Sequence, residues 1–162
     1  MKSIKIRRAA KDDAETLLNL IDELATYEKQ PKLAPDIRAR LIRDGFDEPR
    51  RFTALLAEVE GKVVGYALFF ETYSSYLARP TLYLEDIFIK PEARGYGAGL
   101  ALFKACVQEA IDRGCGRMEW SMLDWNKPAI EFYKKISARQ LQDRIMYRLT
   151  EEELKSFIRS IG

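Results

Sequence analysis

Thr81-Leu82-Tyr83-Leu84-Glu85-Asp86-Ile87-Phe88-Ile89, followed after Lys90 by Pro91-Glu92-Ala93-Arg94-Gly95-Tyr96-Gly97-Ala98-Gly99, is the stretch that decides the fold. Its first half is β-branched, aromatic and leucine-rich over strand length, interrupted only by two adjacent carboxylates. Its second half carries three glycines, and Leu100, Phe103, Val107, Ala110 and Ile111 then recur at helical spacing on one expected face. A strand, a glycine-rich loop and a helix in succession make a strand–helix unit, the building block of a sheet with covered faces.

Before this unit, residues 52–58 and 62–72 read as two strands joined through Glu60-Gly61-Lys62, a hairpin signal. Upstream, Ile4 and Ile6 alternate with Lys5 and Arg7 as a short strand. Leu17, Leu18, Ile21, Leu24 and Ala25 then give residues 11–28 an amphipathic helical period. A second helix is expected over residues 35–44, with Pro35 in its first turn and Gly45 just past its end. Downstream, residues 117–123 read as a strand. Asn126 caps a short helix reaching Ile136, with Pro128 tolerated in its first turn. Residues 140–149 read as a further strand, and Leu154, Phe157, Ile158 and Ile161 form a terminal amphipathic helix from near Thr150. The order predicts an α+β (mixed α/β) fold: a central, mostly antiparallel mixed sheet with helices on both faces, in a single domain spanning residues 1–162.

Composition narrows the chemistry. The 162 residues are 47% hydrophobic and 32% charged, ordinary for a globular chain and wrong for a disordered one. Lys and Arg total 27 against 25 Asp and Glu, a balance that does not suggest nucleic-acid binding through phosphate neutralisation. The chain contains no histidine, which removes Ser-His-Asp and Cys-His catalysis and imidazole–metal sites. Proton transfer is left to carboxylates, Tyr, Lys or Cys. Two cysteines, Cys106 and Cys115, are too few for a zinc cage or a disulfide framework and suit a reducing, cytoplasmic setting. No metal is expected. The N-terminal residues lack an apolar core of signal-peptide length, and the longest apolar run, residues 63–70, is too short for a membrane span.

Three features could carry chemistry, and each has a plain structural alternative. The amides around Gly97 and Gly99, together with Arg94, could cradle a phosphate at a helix N-terminus. The motif is neither a P-loop nor G-x-G-x-x-G, and a flexible loop fits it equally. Glu85 and Asp86 should point to opposite faces of their strand, which argues against a catalytic pair and favours a solvated or salt-bridged edge. A carboxylate held in a cleft would instead gain basicity suited to proton abstraction. Tyr133 shares a helix face with Ala129, Ile130 and Ile136, so an ordinary core aromatic is the default, as an ordinary N-cap is for Asn126.

The order of these features resembles the GNAT superfamily of N-acetyltransferases: a Glu-Asp strand, then Arg-x-x-Gly-x-Gly, then Asn-x-Pro-Ala-x-x-Phe-Tyr. The resemblance extends from Ile4 to about Leu149. Within it Tyr27-Glu28, Tyr83-Leu84-Glu85-Asp86, Arg94 to Gly99 and Trp125-Asn126-Lys127-Pro128 look like the diamine (spermidine/spermine) or thialysine N-acetyltransferase branch. The resemblance implies acetyl-CoA as cosubstrate, held by Arg94, Gly95, Tyr96, Gly97, Ala98 and Gly99, by Ile87, Phe88 and Ile89, and by Asn126 and Tyr133. It implies Glu85 as general base, direct or through water, Tyr133 as acid toward the leaving thiolate, and Tyr27, Glu28, Glu85 and Asp86 as contacts of a small di- or polyamine. It also implies direct attack in a ternary complex and a cytoplasmic homodimer. Residues 72–76 lack the acidic side chain of polyamine-specific members, so a shorter amine, a lysine analogue such as thialysine or a small diamine, also fits. Ser137 stands where the family usually has Gly. Acetylation of a protein or peptide, and a CoA-binding sensor without turnover, remain as other readings.

Overall fold

The computed structural model describes residues 2–162; Met1, counted within the expected domain, lies outside them. The chain divides into two compact units, Met1–Ser121 and Met122–Gly162.

The first unit is built on an open five-stranded sheet in the order β1 (Ile4–Arg8), β2 (Thr53–Val59), β3 (Lys62–Ser74), β4 (Arg79–Ile89), β5 (Arg117–Trp120). All pairs are antiparallel except β4 with β5, which a parallel pairing obliges to be joined by a crossover. That crossover contains helix α3 (Ala98–Asp112). The β2–β3 hairpin turns at Glu60 and Gly61, whose φ values of 51° and 74° are both positive, the pattern of a two-residue type I′ turn. Helices α1 (Ala14–Tyr27) and α2 (Pro35–Phe46) cover one sheet face, burying Leu17, Leu20, Leu24 and Phe46 against Leu56, Tyr66, Leu68 and Phe88. Helix α3 lies against strands β1–β4 and buries Leu102, Phe103 and Cys106. Asp22 fixes α2 to α1: it accepts from Leu33 N–H at 2.7 Å and pairs with Arg38 at 2.7 Å.

Three expectations change in this unit. Helix α2 runs two residues further than its glycine suggests, because the Phe52 ring fills the place a Cβ at Gly45 would take. On α3, Phe103 and Ala110 are buried as expected, but Leu100 and Ile111 are 53% and 65% exposed, and Ala98, Leu102 and Cys106 are buried instead. The small residues allow the close approach of helix to sheet that the large ones would prevent. Strand β5 ends at Trp120, three residues short of the expectation, where its pairing with β4 stops.

The second unit contains α4 (Lys127–Lys135) and α5 (Glu151–Ile161). Asn126 Oδ1 caps α4 by accepting from Ala129 N–H at 3.4 Å. Thr150 and Glu153 form a reciprocal capping box that opens α5 where expected. The expected strand over 140–149 is absent: these residues pair with no strand among the described residues, and Ile145 and Tyr147 are 80% and 89% exposed. Alternation by itself does not make a strand; the ladder hydrogen bonds of a neighbouring strand do.

Helix α4 closes with Ser137 N–H bonded to Lys134 O at 3.0 Å and Ala138 N–H to Tyr133 O at 3.1 Å. This is a complete Schellman turn, made by a serine at φ 59° where glycine is usual. The left-handed conformation costs a residue with a Cβ about 1 kcal/mol. Ser137→Gly should therefore raise the thermal midpoint by about 2–4 °C; an unchanged or lowered midpoint would show that the turn carries no such strain.

Candidate active site

The centre of the site is an irregularity in β4. Leu68 of β3 pairs with Asp86, but the next residue, Phe69, pairs with Leu84, so Glu85 is an extra residue with no partner on β3. Such a bulge bends the strand and re-aims its side chains. Glu85 and Asp86 therefore line one cavity, against the expectation from simple alternation that they face opposite ways. The cavity has a volume of about 480 Å³. Ile21, Leu41, Phe52, Leu68 and Phe70 form its apolar wall, and Arg51 is its one cationic lining residue.

The two carboxylates have different environments. Glu85 is exposed. Asp86 lies deeper and accepts a hydrogen bond from Tyr66 Oη at 3.0 Å. Burial, reinforced by the charges of Glu85 and Glu28, pushes its carboxyl up to about 6 despite that bond. Tyr66 is fully buried, and burial beside Asp86 drives its phenol far above the usual range, so it stays a neutral donor. Glu28, just after α1, is raised by burial and then by Glu85. Among the described residues no ion pair reaches Glu28, Glu85 or Asp86. This uncompensated negative charge suits a cationic ligand. Among the described residues no cluster of three or more Cys, Asp or Glu could hold a metal.

Beyond the bulge, β4 offers its backbone. Lys90 N–H donates to Val64 O at 2.8 Å, so by antiparallel alternation Phe88 and Asp86 bond to β3 while Ile87 and Ile89 turn their backbone groups away from it. They face the side from which β5 has withdrawn, since its last pair is Leu84 with Trp120. Arg94 Nε donates to Ile89 O at 2.9 Å, and its guanidinium lies 5.1 Å from the Tyr27 ring and 5.8 Å from that of Phe88. Arg94 and Tyr27, expected as separate cofactor and substrate contacts, are thus brought together, and one edge of the guanidinium is occupied by the chain itself.

The mouth of α3 is open. Gly97 is its N-cap at φ 88°, and no side chain caps it. The first bond of the helix is Ala101 N–H to Gly97 O, which leaves the preceding amides without helical partners. Gly95, at φ 84°, is the second left-handed position. Gly99, expected to need glycine for a close backbone approach, has ordinary φ, and a Cβ there would meet nothing nearer than Ile89 Cγ1 at 3.7 Å. Tyr96 is exposed, with Lys2 Nζ 3.5 Å over its ring. Uncapped amides at the positive end of a helix dipole, with no acidic residue in the first turn, form an anion-binding mouth.

Asn126 and Tyr133 belong to the second unit, at the cap and in the body of α4. Tyr133 is half-buried, with its ring 5.3 Å from that of Phe132. Neither cysteine has the environment of a thiolate nucleophile: burial pushes Cys106 up to about 12 and also raises Cys115. Sequence reasoning misses Tyr66, Arg51 and the apolar wall. A signal for Tyr66 exists, since a phenol within an apolar strand must find a buried partner for its hydroxyl.

Comparison with known proteins identifies the family and the fold. The profile of the acetyltransferase (GNAT) family matches residues 14–137. A thialysine N-epsilon-acetyltransferase of Sus scrofa is 39% identical over 151 residues, 88% of either chain. An L-ornithine N5-acetyltransferase of Arabidopsis thaliana is 34% identical over 127 residues, 78% of this chain and 56% of its own. An integron cassette protein from the V. cholerae mobile metagenome superposes with a TM-score of 0.82 at 26% identity, covering 96% of this chain and 98% of that one.

The raised carboxyl of Asp86 has a consequence for stability. Its value in the fold lies above its ordinary 3.8, so its stabilising contribution is complete below about 4 and is lost as pH rises through about 6. The cost at neutral pH is on the order of 3 kcal/mol. Asp86→Asn keeps an acceptor for Tyr66 and removes the charge. It should melt higher than the parent at pH 7.5, with the difference shrinking toward pH 4; a pH-independent difference would contradict this account.

Proposed function

The chain belongs to the GNAT acetyltransferase family and is an acetyl-CoA-dependent N-acetyltransferase; from that premise we propose that it acetylates a terminal primary amine of a small di- or polyamine or lysine analogue by direct attack in a ternary complex. The observation that carries this reading is the union of Glu85 and Asp86 at one bulge, facing an apolar cavity without an arginine or lysine ion-paired to either. Such a cavity suits a cation on an aliphatic stem.

Bound acetyl-CoA supplies an acetyl group activated as a thioester. The open amides of α3 hold its pyrophosphate, with Gly95 and Gly97 shaping the loop, Arg94 and Tyr96 beside it, and Ala98 and Gly99 in the first helical turn. Ile87 and Ile89 offer backbone groups to the pantetheine arm, and an amide there polarises the reacting carbonyl. Phe88 supports them from the core below. Tyr27, Glu28 and Asp86 attract the acceptor's ammonium groups. An alkylammonium, which ordinarily titrates at about 10.4, must lose a proton before it can attack, and Glu85 takes it, directly or through water. Tyr133 Oη is the proton donor to the departing sulfur, and Asn126 contacts the cofactor from the head of α4. The raised thiols of Cys106 and Cys115 favour direct attack over a cysteine-borne intermediate.

Residues 1–162 act as one domain in this reading, consistent with a family match that runs across both compact units. A homodimer is supported by exposed Leu154, Phe157, Ile158 and Ile161 on α5 and by exposed Ile145, Met146 and Tyr147. The setting is cytoplasmic, in keeping with two free cysteines. Among the described residues no helix is long and apolar enough to cross a membrane.

Thiol release from acetyl-CoA, measured across monoamines, diamines, diamino acids and peptides, tests the reading; turnover confined to peptides, or binding without turnover, would overturn it. Tyr133→Phe should lower kcat by about 10²-fold or more with little change in acetyl-CoA affinity. An unchanged kcat would leave Tyr133 a packing residue. Gly99→Asp introduces no backbone strain and should favour the helix start, yet its carboxylate would occupy the anion mouth. Acetyl-CoA affinity should fall at least about tenfold while thermal stability is kept; retained affinity would remove the mouth from the cofactor site.

A further inference from the structure

The acceptor cavity contains charge of both signs. Glu85 and Asp86 line it from β4 and Arg51 lines it from the segment after α2, yet Arg51 makes no ion pair with either. Arg51 follows the end of α2, where its own N–H bonds to Asp44 O at 2.8 Å and anchors the backbone just before β2. The neighbouring carboxylates are already committed to other arginines. Asp44 accepts from Arg43 Nε at 2.9 Å, and Glu48 pairs with Arg50 at 3.0 Å. Asp44 senses Arg51 only through space. Among the described residues, then, no ion pair takes up the Arg51 guanidinium at the cavity it lines.

An arginine without an ion-pair partner, lining the same cavity as two carboxylates of β4 and not paired to them, matches a ligand that carries an anion and a cation on one aliphatic chain. A diamine or polyamine carries only cations, and Arg51 would repel whichever end approached it. We propose that Arg51 is a specificity-determining residue that receives the α-carboxylate of a diamino acid. The ligand's stem lies along Ile21, Leu68 and Phe70, and its terminal amine reaches Glu85 and Asp86. The planar guanidinium forms two parallel hydrogen bonds to a carboxylate, which orients the acceptor as well as attracting it. This inference rests on the acetyl-transfer reading of the same cavity and narrows its acceptor.

The test uses substrates that differ only by the carboxylate: L-ornithine against putrescine, and L-lysine against cadaverine. The full-length protein should prefer the diamino acid of each pair. Arg51 is exposed, so its replacement leaves the core intact. Arg51→Met should lower kcat/KM for the diamino acid about tenfold, mainly through KM, and should raise kcat/KM for the matching diamine, because a repelling charge has gone. Arg51→Lys, which keeps the charge but loses the fork, should fall between. Equal changes for both members of a pair, or none, would overturn the role of Arg51. A parent enzyme that prefers the diamines would also overturn it while leaving acetyl transfer standing. A parent that acetylates neither would sink the acceptor reading itself.

Discussion

One extra residue in β4 organises the candidate site in the first unit. Because Glu85 has no partner on β3, the strand bends between Leu84 and Asp86, and two adjacent carboxylates come to line the same cavity. At the same point β5 stops pairing with β4, so the backbone groups of Ile87 and Ile89 are released on one side while β3 holds the strand on the other. A regular, fully paired strand would have hidden one carboxylate in the core and tied up both backbone segments. The cavity, the cleft and the approach to the α3 mouth all follow from that interruption.

The interruption is carried by a stiff surround. Tyr66, Leu56 and Phe69 are fully buried, and the helices on either face clamp the three central strands. Arg7 bridges Glu58 and Asp13, at 2.6 Å and 2.7 Å, tying the first two strands to the start of α1. Arg113 binds Glu71, Glu109 and Thr53 and ties the far end of α3 to β2 and β3. Such a frame can tolerate a carboxyl held at about 6 beside a neutral phenol, an arrangement that costs stability and that a purely structural strand would replace by apolar residues.

Local signals are legible wherever they depend on neighbours in the chain. The Glu60-Gly61 hairpin, the glycine N-cap at Gly97, the Asn126 cap and the Thr150 opening of α5 all appear where short-range chemistry places them. Signals that depend on a partner fail. Residues 140–149 alternate as a strand should but pair with no strand among the described residues. The buried face of α3 is legible in part: Phe103 and Ala110 are buried as expected, but Leu100, Val107 and Ile111 are exposed and the small Ala98 and Cys106 are buried, because the sheet selects small residues for close packing.

Residue identity and short spacing are enough for the order of the elements as far as α4, the helix caps, the exclusion of imidazole chemistry and the family to which the chain belongs. Tertiary structure alone decided which side chains meet. The shared aim of Glu85 and Asp86 arises from a register shift between β3 and β4. The Tyr66–Asp86 bond joins residues twenty positions apart, and Arg51 faces the same cavity from beyond α2. Register and burial are properties of the assembled sheet and its covering helices, so no window of sequence contains them.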